Sequence, residues 1–195
     1  IDASVGGSIF SNTNKTGKYT GVLANTLSGR DAEHGGLWYY TAAMGNNVRL
    51  PESPSYSVSS DGLYYAQVNG QSTRVYQDGI MVEGVTESGS KNEEVVSAEK
   101  YYHRIYSIAE ANVYDASYVK LREVALSYRL PRLWTQKLHL QEASVTLTGR
   151  NLWTIYKSVP NIDPESALTT GNAQGVEAYS LPTTRSFGVN LSVKF

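Results

Sequence analysis

Residues 186–195, SFGVNLSVKF, alternate without a break. Phe187, Val189, Leu191, Val193 and Phe195 share one parity, and Ser186, Gly188, Asn190, Ser192 and Lys194 share the other. Such period-two alternation predicts a β-strand with one apolar and one polar face. A strand of about ten residues crosses a bilayer when tilted, but a half-buried strand of a soluble sandwich carries the same pattern. Three other segments repeat it. In IDASVGGSIFSN, Ala3, Val5 and Ile9 oppose Asp2, Ser4 and Ser8, and Gly6 and Gly7 weaken the strand or permit a bend or bulge. In YVKLREVALSYRL, Val124, Leu126, Tyr128 and Leu130 alternate with Glu123, Ala125, Ser127 and Arg129. Lys120 and Arg122 fall on the apolar parity there, so a bulge intervenes or that end projects beyond any lipid. In ASVTLTGRNLWTIY, Ala143, Val145 and Leu147 oppose Ser144, Thr146 and Thr148. The predicted strands are about 1–12, 116–130, 143–156 and 186–195.

The connections between them are unequal. Residues 131–142 form a short turn, with a helical turn after Pro131. Residues 157–185 are rich in Pro, Asn, Gly, Ser and Thr. About 13–115 hold no comparable strand, only helical turns (GVLANTLSGR, SAEKYYHRIY), a Gly-rich aromatic patch (HGGLWYYTAAMG) and short β-like pieces (GLYYAQVNG, GIMVEGV). A structureless connection of that size is foreign to a compact soluble domain. If the strands run alternately up and down, both long connections lie at one end and the short one at the other. That is the asymmetry of outer-membrane barrels.

Composition adds mostly exclusions. The 195 residues carry 17 Lys and Arg against 18 Asp and Glu, a net charge of -1, which gives no electrostatic reason to expect nucleic acid. Without cysteine there is no disulfide framework, thiolate metal site or cysteine nucleophile. No apolar run approaches the roughly 18 residues of a membrane helix; the longest candidate is LWYYTAAM, residues 37–44. Barrel strands leave no such run, so a mean hydropathy of -0.34 is compatible with one. The 15 Tyr, 3 Trp and 3 Phe suit bilayer interfaces, sugar-binding surfaces and protein interfaces alike. IDASVGGSIF shows no initiator Met and no signal peptide and reads from residue 1 as mid-strand, so a piece of a longer chain is expected.

The ordered series YDASYVKLREVALSYRLP, ASVTLTGRNLWTIY, PNIDPES and the terminal strand resembles the C-terminal end of SusC/RagA-type TonB-dependent outer-membrane transporters of Bacteroidetes. The corresponding residues are Asp115 to Val124, Leu130 and Pro131, Leu147 to Leu152, and Asp163 to Glu165. The likeness is firm over residues 114–195, plausible at GGSIFSNTN and weak across 20–112. It implies an all-β fold: the C-terminal antiparallel strands of a large transmembrane β-barrel of roughly 22 strands with a plugged lumen. Residues 13–115 and 157–185 would be its extracellular loops and 131–142 a periplasmic turn. The resemblance further implies TonB-dependent uptake of glycans or oligopeptides across the outer membrane, with a SusD-like surface lipoprotein as lid. The plug and the TonB-contacting segment would lie upstream. Phe187, Val189, Leu191, Val193 and Phe195 would then form the signal read by the barrel-assembly machinery, presented on an edge strand with unpaired backbone groups.

Candidate chemistry is sparse. His34, His103 and His139 are widely spaced and lack metal-ligand or triad neighbours, and no GxSxG elbow occurs, so no enzyme and no cofactor are expected. GRNLW, residues 149–153, could suggest a binding Arg, but a structural role fits better: Gly149 would let the backbone bend and Arg150 would point into a polar lumen and pair with carboxylates. Asp163 and Glu165, around Pro164, could bind calcium but supply too few ligands; a rigid loop at the lid interface or an ordinary turn fits better. Trp38, Tyr39 and Tyr40 could contact substrate or lid, or pack within their own loop. The main rival is a soluble carbohydrate-binding β-sandwich, resting on the Tyr and Trp content. A surface adhesin repeat ranks last because no internal repeat is visible.

Overall fold

The alternating segments meet in one antiparallel sheet. In the computed structural model, which describes residues 1–137, 139–166, 171 and 174–195, the chain is mostly strands with few helices. Two compact units divide it: Ile1–Thr13 with Asn112–Phe195, and Asn14–Ala111. The first unit holds the strands of strict alternation. They are β1 (Asp2–Ser4), β10 (Tyr118–Arg129), β11 (Glu142–Lys157) and β13 (Ser186–Lys194), hydrogen-bonded in the order β1-β10-β11-β13. Between β10 and β11 lies α3 (Arg132–Lys137), the short helix that follows Pro131.

The strand expected over 1–12 is two strands in two sheets. Gly6 and Gly7 take φ values of +85° and +83°, which side chains with a Cβ rarely adopt, and the chain turns out of register there. Upstream, β1 pairs with β10; downstream, β2 (Ser8–Ser11) pairs antiparallel with β9 (Val113–Asp115). On its other side β2 pairs in parallel with β12 (Val176–Glu177), which lies inside the expected loop 157–185. Residues 167–170, 172 and 173 of that loop, and residue 138 of the turn, lie outside the described residues. A small core of Ile9, Val159 and Ile162, with Tyr114 and Ala116 against it, fixes this corner.

The second unit corrects the expectation of a region without long strands. Its strands are β3 (Leu37–Thr41), β4 (Asn47–Arg49), β5 (Tyr56–Val58), β6 (Tyr64–Val68), β7 (Gln71–Ile80) and β8 (Val96–Ser97), in the order β4-β3-β7-β6-β5 with β8 on β7. β6 and β7 form a hairpin whose turn residues Asn69 and Gly70 have φ of 53° and 76°, the mirror-image geometry that matches strand twist. The core is Trp38, Ala66 and Val75, with Tyr40, Leu50, Tyr64 and Val68 packed against it. Helix α1 (Asn12–Thr20) leads into this unit, and α2 (Ala98–Ser107) is capped by Ser97, whose Oγ accepts from the Lys100 amide at 3.3 Å.

Candidate functional site

Strand register converts the sequence alternation into two continuous surfaces. One face carries the rows Val124–Gly149–Phe187, Leu126–Leu147–Val189 and Tyr128–Val145–Leu191 across β10, β11 and β13. These side chains stay exposed: Leu126 67%, Leu147 50%, Val189 75% and Leu191 65%. A side chain of this size gains about 1.5–3 kcal/mol when withdrawn from water, so the face calls for an apolar cover. On the opposite parity lie Glu123–Arg150–Ser186, Ala125–Thr148–Gly188 and Ser127–Thr146–Asn190. Here Arg150 Nε donates to Glu123 at 2.9 Å, giving Arg150 the carboxylate partner that the sequence suggested. The Ser127 and Thr146 hydroxyls share a hydrogen bond at 2.8 Å.

Towards the start of β10 the two parities exchange character. Register shifts between Val119 and Lys120 and between Leu121 and Glu123 place extra residues in β11, where Asn151 has a φ of 51°. β10 itself keeps its alternation, so Lys120 and Arg122 continue the parity of Val124. Their charges are met by the turn Asp163–Pro164–Glu165. Lys120 Nζ donates to Asp163 Oδ1 at 2.5 Å and to Glu165 Oε2 at 2.6 Å, with the Lys120 side chain only 4% exposed. Arg122 donates to Asp2 Oδ2 at 3.0 Å through both Nε and Nη2, and also to Glu165. The Tyr118 hydroxyl donates to Glu165 Oε1 at 2.8 Å.

The turn is built for this task. Pro164 presets φ at the second turn position, the Ser166 amide closes the turn on the Asp163 carbonyl at 2.9 Å, and the Glu165 amide donates to Asp163 Oδ1 at 3.1 Å. Thr183 adds its hydroxyl at 2.7 Å and its amide at 3.2 Å to Asp163 Oδ2. Burial works to raise the pKa of Asp163, but the bonds from Lys120, Thr183 and the two amides outweigh it and hold the group at about 2. Glu165 is lowered in the same way, burial being opposed by Lys120 and Tyr118. These carboxylates are engaged as anions by fixed cations. That arrangement positions a loop.

A second anchor escaped the sequence reading. Glu177 in β12 is fully buried, its Oε2 accepting from Ser11 Oγ at 2.7 Å and its Oε1 from Thr13 Oγ1 at 2.6 Å and the Ser180 amide at 3.2 Å. Hydroxyls and amides thus solvate an acid that has no cation beside it in these bonds. No pattern near Glu177 marks it, because its hydroxyl partners Ser11 and Thr13 lie 166 and 164 residues away.

The remaining predicted residues fall elsewhere. Trp38 and Tyr39 are buried in the second unit at 7% and 4% exposure. Trp38 stacks on Tyr56 at 5.1 Å and meets the edge of Tyr64 at 5.8 Å; Tyr39 stacks on Tyr76 at 5.1 Å and donates to Asp78 Oδ1 at 3.2 Å. Burial and the nearby Asp78 push the Tyr39 phenol well up. Tyr40 is half-buried against the same core as Trp38. Phe187, Val189, Leu191, Val193 and Phe195 all project from the edge strand β13 or its end, with Phe195 83% exposed. His34 sits 2.8 Å from Asp31, His103 stacks on Tyr19 at 4.0 Å, and His139 has a φ of 56°. Among the described residues no group of His, Cys, Asp and Glu is arranged to hold a metal ion.

Over 94 residues the chain is 34% identical to TonB-dependent receptor P3 of Formosa agariphila. The chain resembles part of a TonB-dependent receptor. The match covers 45% of this chain and 9% of the receptor's length. No family model matches the chain.

Proposed function

We propose that this chain is a section of the β-barrel wall, with its outer loops, of a SusC/RagA-type TonB-dependent importer in the outer membrane of a Gram-negative bacterium. The observation that carries the reading is the exposed apolar face of β10, β11 and β13, backed by a hydrogen-bonded polar face on the same strands. Lipid would cover the first and a water-filled lumen would wet the second. A sandwich would bury the apolar face against a second sheet, as Leu126 and Val189 are not buried here. The partial likeness to a TonB-dependent receptor supports the same class.

In this reading the free edge of β13 pairs with another strand of the same protein when the barrel closes, since four strands are fewer than the roughly eight of the smallest barrels. The alternating residues Phe187 to Phe195 serve as the assembly signal. The Lys120–Asp163–Glu165 cluster sits at the end bearing the long connections and fixes one of them against the wall. A SusD-like lipoprotein would cover that end, TonB would supply energy, and a glycan or oligopeptide would be the cargo. The test is fractionation and heat-modifiability of the native protein, with Phe195 deleted for comparison. A detergent-extracted, heat-modifiable outer-membrane band that is lost on deletion supports the reading. A soluble, monomeric product that is folded without detergent overturns it.

A further inference from the structure

A small cleft opens just beyond the last apolar row, Val124–Gly149–Phe187, on the side of the sheet that carries the apolar face. Register fixes the side: Thr154, which lines the cleft, pairs with Lys120, and Lys120 shares the parity of Val124. The cleft holds about 180 Å³, below the roughly 300 Å³ at which sites for whole small ligands begin. It can seat a single headgroup, with the rest of a larger molecule left outside. Ile162 and Pro164, both buried, give it fixed apolar surface.

Its polar lining is weighted toward donors. Arg185 is exposed and has no hydrogen bond or ion pair among the described residues, and the Thr154 hydroxyl has none there either. Lys157 Nζ gives one of its three protons to the Ile162 carbonyl at 2.8 Å and keeps the others. The acid of the lining, Asp163, is already saturated. Its Oδ1 accepts from Lys120 and the Glu165 amide and its Oδ2 from the Thr183 amide and hydroxyl, which fill the roughly four lone-pair sites of a carboxylate. Two cations and a hydroxyl are thus left for a ligand. An anion suits them, whereas the ammonium of a basic or zwitterionic ligand would meet no uncommitted carboxylate.

Arg185 also stands where a bilayer would end. The ten steps from Arg185 to Phe195 make about 34 Å of antiparallel strand. Tilted by about 40°, that length covers about 26 Å along the membrane normal, close to the 25 Å or so of a barrel's apolar band. Phe187, 81% exposed, is the first apolar side chain inside that limit. We propose that the cleft binds the anionic phosphate headgroup of a membrane lipid, in the leaflet at the end of the sheet bearing the long connections. Arg185 and Lys157 donate charge-assisted hydrogen bonds to the phosphate oxygens, Thr154 adds its hydroxyl, and the acyl chains run over Phe187 and Val189. Free phosphate would engage the same donors, but only a lipid also covers the apolar side chains below them. The inference rests on the proposed lipid-covered face and names a specific partner for its rim.

The test is native mass spectrometry of the purified, detergent-solubilised whole protein titrated with dioleoyl phosphatidic acid, and with dioleoyl phosphatidylcholine and dioleoylglycerol for contrast. Phosphatidic acid is retained at lower concentration than either other lipid. Arg185→Gln weakens its tightest binding step about tenfold and Lys157→Gln severalfold, while Arg132→Gln, on α3 at the other end of the sheet, leaves that step unchanged. Inorganic phosphate at the same concentration as the lipid does not displace it. Overturning results are equal retention of phosphatidic acid and phosphatidylcholine, retention indifferent to both cleft variants, or displacement by inorganic phosphate, which would mark a site for free anions. Arg185 is exposed, so Arg185→Gln reads the site without disturbing packing. Heat-modifiability of each preparation reports the barrel separately. A heat-modifiable protein without selectivity for phosphatidic acid sinks only this inference, and a soluble product folded without detergent sinks the lipid-covered face and this inference together.

Discussion

At Lys120 a cation occupies a position that the alternation of β10 reserves for an apolar side chain, and the fold answers with two carboxylates. Removing the cation leaves Asp163, 8% exposed, without a cation and Glu165 with Arg122 alone; breaking a buried pair costs up to about 3–5 kcal/mol. Lys120→Met is therefore expected to detach the Asp163–Glu165 turn and to open residues 158–185 to protease added outside native membranes, while Arg150→Met does not. Acid should act on the same lock. The pKa of Asp163 is depressed in the folded state, from an ordinary 3.8 to about 2, so its stabilisation is complete above pH 3.8 and is lost as pH falls toward 2. Protection factors of the Glu165 and Thr183 amides, corrected for the intrinsic pH dependence of exchange, should fall across that window and stay level from pH 5 to 7. Half of this site was legible in advance. The acidic turn and the misplaced Lys120 and Arg122 were both visible, but their meeting spans 43 to 45 residues, a distance over which periodicity carries no information.

Elements divide sharply by how much the sequence discloses. β10, β11 and β13 announce themselves because one face of each is uniformly apolar, and period-two patterning survives whichever solvent covers that face. β7 does not, although it runs ten residues, because QSTRVYQDGI buries only Val75 and Gly79 and leaves the rest polar or half-covered. Its hairpin partner was recoverable from the Asn-Gly pair at 69–70, the strongest short-range hairpin signal. The polar α1 has no apolar stripe to read. In the strands that did show, the two faces make opposite predictions. Leu126→Arg should cost about 2–4 kcal/mol in a bilayer and Ser127→Arg close to nothing. Urea titration of the bilayer-embedded protein measures the difference, and equal costs would mean that the two faces share one solvent.

For the whole molecule, no composition or pattern signal marks the boundary between the sheet that carries the alternation and the unit formed by Asn14–Ala111. Length alone signalled that the first long connection had to fold, and its Tyr content finds a use in the Trp38–Tyr56–Tyr64 cluster. Trp38→Ala removes the largest side chain of that core, a change worth about 3–5 kcal/mol. It should erase slow-exchanging amides in β3, β6 and β7 yet leave heat-modifiability intact, since the alternating sheet has its own hydrogen bonds. Loss of both together would show that the two units stand or fall as one.

The central claim is that one face of β10, β11 and β13 meets lipid and the other meets water. This chain has no cysteine, so single thiols report without background from it. The measurement is labelling of Leu126→Cys, Val189→Cys, Ser127→Cys and Asn190→Cys, one at a time, with a membrane-impermeant maleimide on the protein in intact bilayers. The account predicts rapid labelling at 127 and 190 and protection at 126 and 189 that vanishes on denaturation. Rapid labelling at 126 and 189 in the native bilayer would contradict it.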